Sequence, residues 1–213
     1  MKDIAIYGAG GFGREVACLL KGINEAKPQW NFIGFFDDAV EPTKNYPYGP
    51  ILGGIDVVNH WNKPLAICIA IGRPNVIERV VNSIDNTNIN YPNIISPSAI
   101  IMDADTQRMG RGNLICAGCW ISCNTEIGDF NQLNNYITIG HDSKIGNYNS
   151  FMPGVRISGE VTIGDRNLWG LNSGILQQKK VGNDVTIGAG SILLRNVKNG
   201  GTYVGVPAVR YEF

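Results

Sequence analysis

Only two histidines occur in the 213 residues, and one of them, His141, stands directly beside a carboxylate, Asp142. An imidazole with an ordinary pKa of about 6.5 exchanges its proton near neutral pH. A flanking carboxylate fixes its tautomer and supports the imidazolium, so this pair has the chemistry of a general base that takes a proton from an amine or a hydroxyl. His60, in Val58-Asn59-His60-Trp61, has no such companion and reads as a surface residue. A second set of residues is Gly8-Ala9-Gly10-Gly11-Phe12-Gly13, a GxGxxG run between an apolar strand and a helix, with Asp37-Asp38 closing the next strand and Gly72 closing a third. Read alone, it points to dinucleotide binding. Residues 1 to 95 are enough for about half of a doubly wound dinucleotide fold, which suits a mononucleotide. The five cysteines, at 18, 68, 116, 119 and 123, include a CxxC, but an odd number without a secretory signal reads as free thiols rather than zinc ligands or disulfides.

These groups have to be positioned by two different architectures. From Met109 through Ile115, Ile121, Ile127 and Leu133 to Leu193, an apolar residue returns at every sixth position. Neither a helix period near 3.6 nor a strand period of two gives a strict six. Three such hexads make one triangular coil of a parallel β-helix, so residues eighteen apart stack, and five full coils at about 4.8 Å make a prism about 24 Å tall. In several hexads a glycine follows the apolar residue, as in Ile127-Gly128 and Ile145-Gly146, where the chain is expected to turn a corner and a Cβ would clash. The position four after the apolar residue is small, polar or β-branched, as in Asn113, Asn131, Ser143 and Val155. Phe151 and Trp169 fall eighteen apart and should stack. His141, two residues past Ile139, begins to face outward at a corner. Ile95 and Ile101 are already six apart but out of phase with Met109, which predicts a leading coil, an irregular stretch near Asp103 to Arg108, and then the unbroken stack. Val197 to Phe213 is expected to run back as a cap over the last coil.

Residues 1 to 95 carry no hexad. Lys2 to Tyr7, Asn31 to Phe36 and Leu65 to Ile71 read as buried strands, and Gly13 to Ile23 and the stretch opened by Pro74 as helices. The fold expected is therefore α/β plus β-solenoid: a small Rossmann-like domain over 1–95, then a β-helix with a C-terminal cap over 96–213.

Eighteen basic against eighteen acidic residues, with no basic run, remove the electrostatic footprint of a nucleic-acid binder. No apolar run approaches the about 18 residues of a membrane span and no signal peptide is evident, so the cytoplasm is the expected location, with no membrane partner. An NAD-dependent oxidoreductase is suggested only by the glycine loop. A zinc carbonic anhydrase on a β-helix would need three histidine ligands, and a purely structural solenoid would show the same period.

The repeat resembles the left-handed β-helix of the hexapeptide-repeat acyltransferases. Leu133-Asn134, Ile139-Gly140-His141-Asp142, Met152-Pro153-Gly154 and Val204-Gly205-Val206-Pro207-Ala208, behind the βα domain, narrow the likeness to bacterial nucleotide-sugar N-acetyltransferases of the PglD, PerB and NeuD type. The resemblance implies an acetyl-CoA-dependent, metal-free, homotrimeric enzyme that acetylates a UDP-, GDP- or dTDP-linked 4-amino-4,6-dideoxy sugar for surface polysaccharide or glycan synthesis. A sugar or sialic acid O-acetyltransferase is the alternative. It implies His141 as general base with Asp142 and Asn134 in support. Gly8, Gly10, Gly11, Phe12, Gly13, Asp37, Asp38 and Gly72 would receive the nucleotide sugar, and Ser150, Gly170, Leu171, Gly188 and Ala189 would lie along acetyl-CoA. Two positions depart from the family: Ser150 replaces a second histidine found in many members, and Phe12 stands where some have histidine.

Overall fold

The computed structural model describes residues 1–212. The chain begins with β1 (Lys2–Tyr7), α1 (Gly11–Ala26), β2 (Trp30–Phe36), β3 (Ile51–Gly53), α2 (Ile55–Asn59), β4 (Leu65–Ile69), α3 (Pro74–Ser83) and β5 (Ile89–Asn90). The five strands form one parallel sheet in the order β3-β2-β1-β4-β5. Every residue of β4 is buried, as expected of a central parallel strand covered on both faces. One stripe of α1, from Val16 and Ala17 to Leu20 and Ile23, lies on the sheet, and Pro74 opens α3 at a position that needs no amide hydrogen. The predicted strands and helices are present, with α1 starting at Gly11 rather than Gly13 and β4 ending at Ile69 rather than Ile71. Three elements were not foreseen: β3 and β5 span only three and two residues, and α2 five, too short for a periodic signal.

The solenoid is a three-walled parallel β-helix built of two-residue strands. Its first wall runs from Ile94–Ile95 and Leu114–Ile115 up to Thr186–Ile187, its second from Ile100–Ile101 to Ile192–Leu193, and its third from Arg108–Met109 to Lys180–Val181. Because Ile94–Ile95 pairs with Leu114–Ile115, the last two residues of the 1–95 segment already belong to the first wall. The leading coil is present and longer than the rest: Ile95 pairs with Ile115 and Ile101 with Ile121, whereas Met109 pairs with Ile127 and Ile121 with Ile139. The two extra residues sit in the 103–107 segment, and Arg108 is already in a strand.

The clash expected of a Cβ at the glycines after the apolar residues is present, but the left-handed residue of each corner lies elsewhere. Positive φ occurs three residues after the inward apolar residue, at Asn124, Phe130, Tyr136, Asp142, Tyr148 and their successors, at +54° to +61° wherever that residue is not glycine. The glycine that directly follows the apolar residue has an ordinary φ. It is needed because coils touch there: a Cβ on Gly128 would come 2.7 Å from the Gly146 carbonyl oxygen. The small residues four past each apolar position point inward. Asn113, Asn131, Asn149 and Asn167 are all fully buried and form a ladder, in which the Oδ1 of each of the first three accepts the backbone N–H and the side-chain amide of the asparagine one coil later, and that of Asn167 accepts the Val185 N–H. This satisfies polar groups that would otherwise cost about 1–3 kcal/mol each in the dry interior. Phe151 and Trp169 stack with centroids 5.9 Å apart.

After Leu193 the chain does not simply run back. Val197 bridges Val181, Thr202–Val204 adds a parallel strand to the first wall, and Val209–Tyr211 then returns antiparallel to it. Phe213 lies outside the described residues.

The two parts share a core. Leu114 and Ile94, on the first wall, pack among Ile4, Val16 and Leu20 of the sheet and α1. Tyr91 meets Phe130 edge-on at 5.0 Å, Phe130 stacks on Tyr148, and Arg166 donates to Glu78 of α3 at 3.2 Å. Among the described residues no helix is long and apolar enough to cross a membrane.

Candidate active site

The corner between the second and third walls presents the one histidine–carboxylate pair among the described residues. His141 Nδ1 lies 2.7 Å from Asp142 Oδ2, and both side chains are about half exposed. Asp142 sits at φ +57°, a conformation that aspartate tolerates better than most residues and that turns its carboxylate back beside its neighbour. An ionised carboxylate only accepts, so Nδ1 carries the hydrogen, and in the neutral ring Nε2 is then the acceptor. The Asn124 amide and the imidazole hold the Asp142 carboxyl below the usual carboxylate range, which keeps it ionised at neutral pH. The ring lies against Gly159 of the next coil, where a Cβ would come 2.6 Å from Nε2. Glycine is thus what leaves room for the imidazole.

Asn134 belongs to a different corner, between the first and second walls. Its Oδ1 accepts the Asn135 N–H at 2.8 Å, its carbonyl accepts the Cys119 thiol, and no hydrogen bond joins it to His141 or Asp142 within the chain. Gly170 and Gly188 stack on that same corner: a Cβ on Gly170 would come 2.8 Å from the Gly188 carbonyl carbon. Leu171 and Ala189, beside them, are exposed. Ser150 is not on this surface. It is fully buried on the outward side of the first wall beneath the N-terminal domain, with an unpartnered Oγ, and its cross-strand neighbour Gln132 is buried and unpartnered too.

The glycine loop is a compact turn between β1 and α1. Gly8 has φ +109°, and a Cβ there would come 2.6 Å from the Ala70 carbonyl oxygen; a Cβ on Gly13 would collide with the Gly8 carbonyl. Gly10 and Gly11 are exposed at the start of α1, whose first-turn amides lack helical acceptors and whose dipole favours an anion. Phe12 is half-buried against the domain core. Asp37 is tied to the loop: Oδ2 accepts the Ala9 N–H at 2.7 Å and Oδ1 that of Ala39 at 2.8 Å. Asp38 accepts from the Ile55 N–H at 2.8 Å and the Tyr7 hydroxyl at 2.5 Å. Burial and the Asp38 carboxylate push the Tyr7 phenol well above its ordinary value. Gly72 leaves the same end of the sheet and faces Met152, 3.8 Å from the position its Cβ would take. The strand ends where α/β sheets bind ligands are therefore aimed at the corner that carries Asn134, Gly170 and Gly188.

Several neighbours of these groups were not foreseen. Tyr46 donates to the Ala9 carbonyl at 2.5 Å and accepts from Arg14 at 3.0 Å, which sets a guanidinium over the loop. Tyr46 lies in a proline- and glycine-rich stretch with no periodic signal. Asn124, one coil before Asp142, was marked only by the eighteen-residue spacing. Cys116 and Cys119 are buried and their thiols are pushed up to about 12 and about 11, which keeps them protonated. His60 Nδ1 meets the Asp56 carbonyl at 2.7 Å on the surface.

Residues 3–84 match the PglD N-terminal domain. The GDP-perosamine N-acetyltransferase of Escherichia coli O157:H7 is 29% identical over 191 residues, covering 89% of this chain and 85% of that protein. WeeI from Acinetobacter baumannii AYE superposes with a TM-score of 0.88 at 28% identity over 99% of this chain and 100% of its own. The chain is similar in sequence and fold to PglD/PerB-type sugar acetyltransferases. The acetyltransferase domain of PglB from Neisseria gonorrhoeae FA1090, solved in complex with acetyl coenzyme A, superposes on this chain with a TM-score of 0.87 at 25% identity, 99% of each chain being covered. The PglD/PerB-type architecture thus spans both parts of the chain, the βα domain and the solenoid.

Proposed function

We propose that the protein transfers the acetyl group of acetyl-CoA to the amino group of a nucleotide-linked 4-amino-4,6-dideoxy sugar, with His141 as general base. The observation that carries this reading is the His141–Asp142 pair, whose Nδ1 is engaged at 2.7 Å and whose Nε2 lies against Gly159, where no Cβ intrudes. The amine of the sugar is unreactive as an ammonium ion. Nε2 takes a proton from the amine as its nitrogen attacks the thioester carbonyl, Asp142 stabilises the imidazolium, and collapse of the tetrahedral intermediate expels CoA thiolate, which recovers the proton. A backbone N–H at a coil corner is suited to the developing oxyanion. The relative that acts on GDP-perosamine and the neighbour that binds acetyl-CoA support this choice of substrates.

Within one chain the nucleotide end and the base lie on neighbouring corners, separated by the width of the second wall. Ile100 and Trp120 are exposed on that wall, and Met102 and Leu176 at the corner beyond it. A homotrimer that covers this apolar face would bring His141 of one subunit to the sugar held by the next. Asn134, Gly170, Leu171, Gly188 and Ala189 would then lie along acetyl-CoA, with the glycine loop on the nucleotide diphosphate; Ser150, buried as it is, would act only by shaping the wall.

The test is CoA thiol release from acetyl-CoA with UDP-, GDP- and dTDP-4-amino sugars and with sialic acid. Turnover of an amino sugar, reduced about 10²–10⁴-fold in His141→Ala, is the expected result. Turnover of the hydroxyl substrate alone would establish the O-acetyltransferase instead, and an unimpaired His141→Ala would remove the base.

A further inference from the structure

We infer that Asn124 is a positioning residue for the base: its amide holds Asp142 in the one orientation that pins the His141 ring in the Nδ1–H tautomer. The inference rests on the assignment of His141 as base. Asn124 Nδ2 donates to Asp142 Oδ1, while Asp142 Oδ2 accepts from His141 Nδ1 at 2.7 Å. The three groups form one relay running from the coil below, through the carboxylate, to the ring. It is the only hydrogen bond to the Asp142 carboxylate other than the histidine's among the described residues, so removal of the amide leaves an exposed carboxylate free to rotate about its side-chain bonds and solvate.

The relay follows from the coil geometry. Asn124 and Asp142 occupy the same left-handed corner position, at φ +54° and +57°, eighteen residues apart. Side chains that leave successive corners in the same direction meet, and here an amide donor lies beneath a carboxylate acceptor. Asn124 is itself fixed, since its N–H donates to the Thr106 hydroxyl at 2.9 Å. The next step of the same column holds another arrangement: Gln178 donates to both oxygens of Glu160 at 3.2 Å, so that acid is engaged one coil above and does not take the amide's place under Asp142. Glu160 touches the histidine only through the backbone, its N–H donating to the His141 carbonyl at 2.8 Å.

A free imidazole favours the Nε2–H tautomer, which would place a hydrogen on the atom that must accept one. Holding Nδ1–H against a fixed carboxylate reverses that preference. Asn124 accordingly touches neither substrate nor the transferred proton and acts through Asp142.

The test uses Asn124→Gly, which removes the amide and keeps a residue at ease at positive φ, together with Asn124→Asp, which sets a carboxylate against Asp142. The long-range ¹H–¹⁵N spectrum of the full-length protein reads the tautomer directly, with two histidines in the chain and His60 as internal control. Expected for Asn124→Gly is a mixed Nδ1–H/Nε2–H population at His141 and an unchanged His60. Kinetically, kcat falls about tenfold with little change in KM for acetyl-CoA, and Asn124→Gly has no further effect when Asp142→Ala is already present. Asn124→Asp loses at least as much as Asn124→Gly. An unchanged His141 tautomer in the folded glycine variant overturns the inference, whatever the activity. Loss of the tautomer preference together with a fully active His141→Ala would instead keep the relay and reject the base.

Discussion

Replacing Gly159 with alanine tests the site most sharply, because the structure fixes both the collision and its direction. The added Cβ would lie 2.6 Å from His141 Nε2, 2.7 Å from Cε1 and 3.0 Å from Cδ2. Ordinary contacts between such atoms fall at about 3.5 Å, so the ring has to retreat by about 1 Å. A retreat of that size stretches the 2.7 Å bond to Asp142 past the limit of a useful hydrogen bond, and the base loses its tautomer control and its aim together. Misplacement by about 1 Å at a reacting centre costs roughly 10²-fold, or about 2.7 kcal/mol on the barrier. The fold itself has little to lose: the atoms struck belong to a half-exposed side chain that can move, and Gly159 is not at positive φ. Thiol release from acetyl-CoA with the preferred amino sugar should therefore fall about 100-fold in Gly159→Ala, while Tm stays within about 2 °C of the parent. A variant of unchanged stability and full activity would show that the imidazole need not stay where the structure puts it, and the base assignment would fall with it.

Trp169→Ala empties the largest fully buried side-chain site of the solenoid and removes the stack on Phe151; a loss of about 3–5 kcal/mol, and a Tm lower by roughly 10 °C, is expected in thermal denaturation. Gly8→Ala forces an unfavourable φ and drives a Cβ into the Ala70 carbonyl, so calorimetry should show nucleotide-sugar binding weakened at least tenfold with CoA binding retained. Tyr7, raised in the folded protein, keeps its proton at alkaline pH while the unfolded chain releases it. Its stabilising contribution is thus present below pH of about 10 and lost as pH rises beyond that value. Denaturant titrations of Tyr7→Phe should show a shallower alkaline decline, alongside a loss of about 1 kcal/mol at neutral pH from the missing bond to Asp38.

The solenoid was legible because a single constraint, an apolar residue facing the axis at every sixth position, acts on each strand alike. Its corners were less so. The sequence places glycine after Ile127 and Ile145, but whether that glycine avoids a strained φ or a neighbouring coil depends on the distance between coils, which no local pattern records. The histidine and its carboxylate were legible as neighbours in sequence. Asn124 was not, since amide and carboxylate meet only when the eighteen-residue period is read as a vertical column of side chains. Ser150 shows the opposite failure: its strand and register were predictable, but its burial comes from the N-terminal domain lying across the first wall, a tertiary contact with no trace in the hexads. β3 and α2 escaped for want of length, and with them the amide of Ile55 that ties down Asp38.

The leading coil, two residues longer than those above it, bears on how such a molecule can change. Its surplus is absorbed wholly in the 103–107 loop, and Met109 re-enters the lattice opposite Ile127 as though nothing had been added. Length and register are thereby uncoupled at the corners. A corner can swell into a loop without disturbing the rung above, whereas a single residue inserted in a strand would turn its inward side chain to solvent. New surface for recognising an acceptor can thus be acquired one loop at a time, with the scaffold that aims His141 left untouched.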